Sequence, residues 1–191
     1  MTDEQYLASL FTKYGTDKGI WGYTPYYASF LGPDRMDVKR VLEIGICGYR
    51  VIPNNVVGAS LFVWRDFFPN AEIFGIDADG RFIFNNQERI HTAQCDAYNQ
   101  PYLHEALIGF GGEPFDIIID DAVHDPQPQI QLMNQLSHWA APQSFYFMED
   151  VCPYKLPNGD LDAGMFQHIT GWGGVVACSS LKPEVLVVGV K

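Results

Sequence analysis

The chain has 191 residues, of which 47% are apolar and 18% charged, and a formal net charge of -11. That length and balance describe one soluble globular domain with a proper core, and the acidic charge, without any Lys or Arg cluster, excludes a partner held through its phosphates, so no nucleic acid is expected. Cys47, Cys95, Cys152 and Cys178 are far apart and lack zinc spacing, no signal-peptide pattern opens the chain, and no apolar run approaches the roughly 18 residues of a membrane span; reduced thiols and a cytoplasmic location are expected.

Residues 3–14 carry a helical period, with Tyr6, Leu7, Leu10, Phe11 and Tyr14 on one face, Thr2 or Asp3 as cap, and Gly15 as stop. The stretch GTDKGIWGYTPYYASFL follows. Its glycines and aromatics either fold over a site, or Trp21, Tyr23, Tyr26 and Tyr27 are the core of a small N-terminal helical layer. Tyr14 and Lys18 share the Tyr-x-x-x-Lys spacing of short-chain dehydrogenases, but Gly15 lies between them and the pair precedes the first strand. That strand is KRVLEIGI, 39–46, followed by Gly45 and Gly48 where the chain must turn close to a ligand. Ala59 to Phe68 is a helix with Ser60 near its start. Eleven residues separate Gly48 from Ser60, so the GxGxxG of a nicotinamide-binding oxidoreductase is missing.

Glu72 to Asp77 is the second strand. Its terminal Asp77 stands where a Rossmann-like sheet accepts ribose hydroxyls, or else caps a helix from about Asp79 to Gln87. Arg89 to Gln94 is the third strand; Asp96 and Ala97 follow, either at an adenine or as the cap of a helix over 98–110. FDIIIDDAVHD, 115–125, is a fourth, buried strand ending in carboxylates. An amphipathic helix, 126–141, buries Ile130, Met133, Leu136 and Trp139 and stops at Pro142. FYFMEDV, 145–151, contains the fifth strand. Residues 152–171 lack a period beyond one helical turn near 165–169, and 175–179 and 185–190 are closing strands joined by a hairpin at Lys182-Pro183.

If the fourth and fifth strands are neighbours, Asp120, Asp121, Glu149 and Asp150 crowd one edge of the sheet, the edge where open α/β sheets bind ligands. Like charges so placed call for a cation, and oxygen ligands suit a hard one such as Mg²⁺. His124, one turn beyond Asp121, is a group able to take a proton. The duller account makes these residues helix caps and solvated loop charges.

Five alternating strands and a closing pair, with an acid ending the second strand, resemble a class I S-adenosylmethionine-dependent methyltransferase. More closely, KYGTDKG (13–19), VLEIGICGY (41–49), GASLFVW (58–64), FPNAEIFGIDAD (68–79), FDIIIDDAVHD and FYFMEDV are similar to the metal-dependent sugar O-methyltransferases of the macrocin and mycinamicin type. The resemblance implies an α/β fold, a Rossmann-like sheet mostly parallel with a final antiparallel strand and helices on both faces. It implies a single domain, 1–191, made of an N-terminal helical cap, 1–35, and a core, 39–191. It implies S-adenosyl-L-methionine as cofactor, lined by Glu43, Gly45, Ser60, Asp77, Asp96, Ala97 and Asp120 with Thr16 close by. Asp121, Glu149 and Asp150 would ligate Mg²⁺, His124 would be the general base, and the acceptor would be a hydroxyl of a sugar or glycosylated natural product. The family's Asp-Asp-Gly-Ser-His is altered here to Ala122 and Val123, and the match fades beyond Val151. A nicotinamide-dependent oxidoreductase and a non-catalytic cofactor-binding protein are the competing readings.

Overall fold

The computed structural model describes residues 1–47, 56–152, 163–179 and 185–191. The turn at Gly48 and the hairpin at Lys182-Pro183 lie outside the described residues.

The core is a sheet of seven strands in the order β3-β2-β1-β4-β5-β7-β6: β1 is Arg40–Ile44, β2 Glu72–Asp77, β3 Ile90–Gln94, β4 Phe115–Asp120, β5 Ala140–Val151, β6 Gly174–Ser179 and β7 Val185–Val190. Strands β1 to β5 pair in parallel. Strand β7 enters antiparallel between β5 and β6, leaving β6 at one edge. Strand faces follow the two-residue alternation of side chains. Val41, Ile73, Ile117, Ile119 and Phe147 point into one apolar layer. Leu42, Phe74, Ile118, Tyr146 and Met148 point into the other.

Helices cover both faces. The first layer receives α1 (Asp3–Tyr14), α2 (Thr24–Leu31) and α3 (Ala59–Phe67), and the second receives α4 (Gln100–Gly109) and α5 (Pro126–Leu136). Helix α1 has the full capping box, with the Thr2 hydroxyl accepting from Gln5 N and the Gln5 side chain answering Thr2 N, and it ends at Gly15 in the left-handed conformation. The glycine- and aromatic-rich stretch is a folded layer: a 3-10 turn, Asp17–Gly19, and then α2. Tyr23 and Tyr27 are fully buried, and the Tyr27 ring packs against Phe11, Trp64 and Phe147.

Three elements differ from the sequence-based expectation. The helix expected over 79–87 is a single 3-10 turn, Gly80–Phe82. Beyond it, Phe84 N donates to the Thr92 hydroxyl and the Asn85 side chain brackets the Thr92 backbone, side-chain bonds that compete with a helix. Helix α5 stops at Leu136, short of Ala141, and a 3-10 turn, Ser137–Trp139, follows. Pro142 does not end a helix but lies inside β5, where the β4 register slips between Phe115 and Ile117 and Gln143 has φ 64°. A proline in a strand is tolerated at such a bulge because no ladder donor is lost there.

Register sets the functional edge. Ile44 lies opposite Asp120, and Asp120 opposite Met148, so Gly45, Asp121 and Glu149 occupy the next step on three adjacent strands. Gly45 has φ 81°, and a Cβ there would come within 2.3 Å of the Asp121 carbonyl oxygen. We expect Gly45→Ala to lose on the order of 1–3 kcal/mol of stability from backbone strain alone, and more from the clash. Urea unfolding of the variant checks this; an unchanged midpoint and slope would remove the close approach from the account.

Candidate active site at the carboxyl edge of the sheet

In a regular strand Glu149 and Asp150 would face opposite sides of the sheet. They do not, because β5 carries a bulge here. Between Met148, opposite Val187, and Val151, opposite Val185, β5 has one residue more than β7, and Asp150 is left-handed with φ 51°. The consequence is that both carboxylates meet the N-terminal layer. The Tyr27 hydroxyl donates to Glu149 and the Tyr23 hydroxyl to Asp150. The two tyrosines are one helical turn apart at the start of α2, so one helix end grips both acids. From the opposite layer Gln129, fully buried on α5, donates its amide to the Glu149 carbonyl at 2.9 Å.

Lys18 completes the cluster. Its side chain is only 2% exposed, and its ammonium lies 2.8 Å from Glu149 Oε1 and Asp121 Oδ2 and 3.3 Å from Glu43 Oε1. Glu43 itself projects from β1 into the first apolar layer, where Trp64 Nε1 donates to Oε2 at 3.0 Å. Its Oε1 takes no hydrogen bond and depends on Lys18 for its charge partner. Burial works against the Lys18 ammonium, but Asp121, Glu149 and Glu43 together outweigh it and hold the amine charged. Burial pushes the Glu43 and Glu149 carboxyls up, and Lys18 only partly counters that. Burial also opposes ionisation of Asp121, yet Lys18 and then His124 more than offset it and keep this carboxyl below the usual range. Negative charge is therefore most firmly held on Asp121.

His124 stands at the mouth, 46% exposed, with Nε2 3.6 Å from Asp121 Oδ1 and 3.7 Å from Asp150 Oδ2. Ligand atoms of Asp121, His124 and Asp150 all fall within 4.8 Å of one another, and this is the candidate metal group among the described residues. Glu149 is at the same edge, but its carboxylate is taken by Lys18 and Tyr27. The donor set fits a hard divalent cation: it is rich in carboxylate oxygens, and Asp121 is kept ionised.

The other candidates line the neighbouring strand ends. The Asp77 carboxylate accepts from Ile46 N at 3.1 Å and Asp79 N at 2.9 Å, which ties the β1 turn to β2, and each oxygen keeps a second acceptor position for a hydroxyl. It does not cap a helix. Asp96 is exposed and accepts from Tyr98 N at 3.1 Å, shaping the turn that precedes α4; Ala97 beside it is buried. Ser60 is buried in the first turn of α3, within hydrogen-bonding reach of Glu43. Thr16 caps the 3-10 turn that carries Lys18. Asp120 is fully buried, with Tyr146 donating to Oδ2 at 3.1 Å. Sequence reasoning missed Lys18, Tyr23 and Tyr27 as members of the site. A signal existed: four strand-end carboxylates in an acidic chain need a buried donor set, and the lysine and aromatics of TDKG and YTPYY were at hand.

Burial pushes the Asp120 carboxyl up to about 7, against the donated bonds from Tyr146 and Ala122 N. A carboxyl raised in the folded state favours folding fully at pH below about 4, and that contribution is lost as pH rises through about 7. Asp120→Asn, a neutral isostere, removes the loss. Between about pH 5 and pH 8, in EDTA, the parent protein is expected to lose about 2–3 kcal/mol more unfolding free energy than the variant. Equal losses by urea titration at both pH values would refute the raised pKa.

No protein-family model matches the chain. It is 34% identical over 153 residues to the 8-demethyl-8-(2-methoxy-alpha-L-rhamnosyl)-tetracenomycin-C 3'-O-methyltransferase of Streptomyces olivaceus, a match covering 77% of this chain and 38% of that protein. It is 32% identical over 147 residues to the mycinamicin VI 2''-O-methyltransferase of Micromonospora griseorubida, covering 76% and 36%. The chain thus spans about two fifths of the length of the curated relatives it matches. Among solved structures, the MycE methyltransferase in complex with Mg, SAH and mycinamycin VI superposes with a TM-score of 0.72 at 26% identity, over 96% of this chain and 54% of that one. A second MycE structure, with Mg and SAH, gives a TM-score of 0.61 at 31% identity over 75% and 36%. By sequence and by fold, the chain is a class I methyltransferase-fold relative of the macrocin-, mycinamicin- and tetracenomycin-type sugar O-methyltransferases.

Proposed function

We propose that this chain is an S-adenosylmethionine- and Mg²⁺-dependent O-methyltransferase whose acceptor is a hydroxyl of a sugar or glycosylated natural product. The observation that carries the reading is the register-aligned pair Asp121 and Glu149, joined by Asp150 from the β5 bulge and His124 at the mouth, at the sheet edge of a chain related to sugar O-methyltransferases. Asp121, Glu149 and Asp150 are proposed to hold the cation, which supplies the acidity that an alcohol needs to part with its proton near neutral pH. His124 is exposed enough to reach an acceptor, and the carboxylates on either side favour its charged form once it has taken that proton. Asp77 and Asp96 are proposed to receive the hydroxyls and adenine of the cofactor, with Gly45, Ser60 and Thr16 shaping its bed and Glu43 and Asp120 behind it. Fixing methyl donor and acceptor on one rigid sheet edge contributes much of the remaining rate. No helix among the described residues is long and apolar enough to cross a membrane.

The test is calorimetric titration of S-adenosylmethionine and S-adenosylhomocysteine into the chain, with Mg²⁺ and with EDTA, and NAD(H) as control. Binding of the methyl-cycle ligands and metal-dependent methylation of a glycosylated acceptor are expected; NAD(H) binding in their place would overturn the reading. Asp121→Asn and Glu149→Gln should weaken Mg²⁺ binding. His124→Ala should cut turnover by about 10²–10⁴-fold, the usual worth of a positioned acid-base group, while cofactor affinity stays within a few-fold. Unchanged turnover in all three variants would sink the assignment of roles.

A further inference from the structure

Lys18 is a lysine in an unusual setting. Its ammonium is buried inside a ring formed by Glu43, Asp121 and Glu149, and two of those three are the residues proposed above as ligands of the divalent cation. The contacts are all made by the tip of the side chain. Its backbone is pinned elsewhere: Lys18 N donates to the Thr16 hydroxyl at 3.3 Å, and Lys18 O accepts from Tyr23 N at 3.1 Å. The backbone of Lys18 is thus held independently of the contacts its ammonium makes. A lysine ammonium is a compact point charge with three rotatable donors, the side chain closest in kind to a small exchangeable cation.

Resting on the metal reading above, we propose that Lys18 is the internal counter-cation of this site: it holds Glu149 and Asp121 in place in the metal-free protein, gives up their oxygens when the divalent cation binds, and so sets the affinity of the site. Asp121, His124 and Asp150 form the group whose ligand atoms already converge. Glu149 is bonded to Lys18 through both oxygens at 2.8 Å. Lys18 acts through its neighbours and is a positioning residue rather than a catalytic one. The same ammonium also faces Glu43 beneath the proposed cofactor bed, so its displacement is felt there too.

The experiment compares Mg²⁺ affinity of the parent chain and Lys18→Met by calorimetry at about pH 8. Removing a unit charge a few ångströms from a cation site should tighten Mg²⁺ binding by about tenfold or more, on the scale by which a neighbouring charge shifts protonation of a carboxylate. A parallel measurement on the parent protein needs no variant: the Nζ resonance of Lys18 in ¹⁵N-lysine-labelled protein should be sharp and protected from exchange in EDTA, and should shift and lose protection as Mg²⁺ saturates. Equal or weaker Mg²⁺ binding by a folded Lys18→Met variant, or a Lys18 signal that stays put at saturation, overturns the proposal while leaving the metal site intact. Absence of Mg²⁺ binding in both parent and variant removes the metal reading itself, and the exchange with it.

Discussion

A buried ammonium among carboxylates is the constraint around which this molecule is arranged. Glu43 sits one residue before the end of the inner strand β1, on the face of the first apolar layer, and Asp121 and Glu149 lie side by side one register step beyond Asp120 and Met148. Acids so deeply placed are costly to desolvate unless a partner of opposite charge is supplied. Lys18 is that partner, and the N-terminal layer exists in large part to deliver it. Helix α1 ends at Gly15, Thr16 caps the short turn, and the turn aims Lys18 at the sheet edge while α2 brings Tyr23 and Tyr27 onto the same acids. The aromatic packing of Phe11, Tyr27, Trp64 and Phe147 then locks the layer down.

The division of labour at the edge follows from burial. Deep in the cluster, Glu43 and Glu149 are pushed toward neutrality and are held by directed bonds from Trp64, Tyr27 and Lys18. Toward the surface, Asp121 stays ionised and His124 is open to solvent. One small site therefore grades from a buried floor of paired acids to a solvent-open mouth. That gradient is what the proposed roles, holding a cation and moving a proton side by side, would need.

Much of this was legible in the sequence. The buried runs VLEI, EIFGID and FDIII name their strands; EIFGID ends in Asp77, FDIII runs into Asp120 and Asp121, and VLEI into Gly45, and these mark the ligand edge. What the residues could not disclose was geometry that depends on pairing. The bulge in β5 arises from the count of residues opposite β7, a strand some thirty-five positions away, and without it Glu149 and Asp150 would diverge. Pro142 reads as a helix stop in isolation and is instead absorbed by a slipped register with β4. Lys18 stands in KYGTDKG and at Tyr-x-x-x-Lys spacing from Tyr14, yet neither pattern discloses its role, because what singles it out is the company it keeps at residues 43, 121 and 149. The helix expected at 79–87 fails for a local reason, since Asn85 bonds the backbone of the following strand more readily than it continues a helix.

The left-handed backbone of Asp150 has a bearing on how this site can be dissected. Asp and Asn tolerate that conformation far better than other side-chain-bearing residues, and Gly tolerates it freely. An alanine there would combine a chemical loss with a conformational penalty, and the two would be inseparable in any assay. Asparagine keeps shape and backbone and deletes only the charge; glycine keeps the backbone and deletes the side chain. Together they separate what the carboxylate does from what the bend does. The same restriction favours Asp, Asn and Gly at this position, whatever reaction the edge performs.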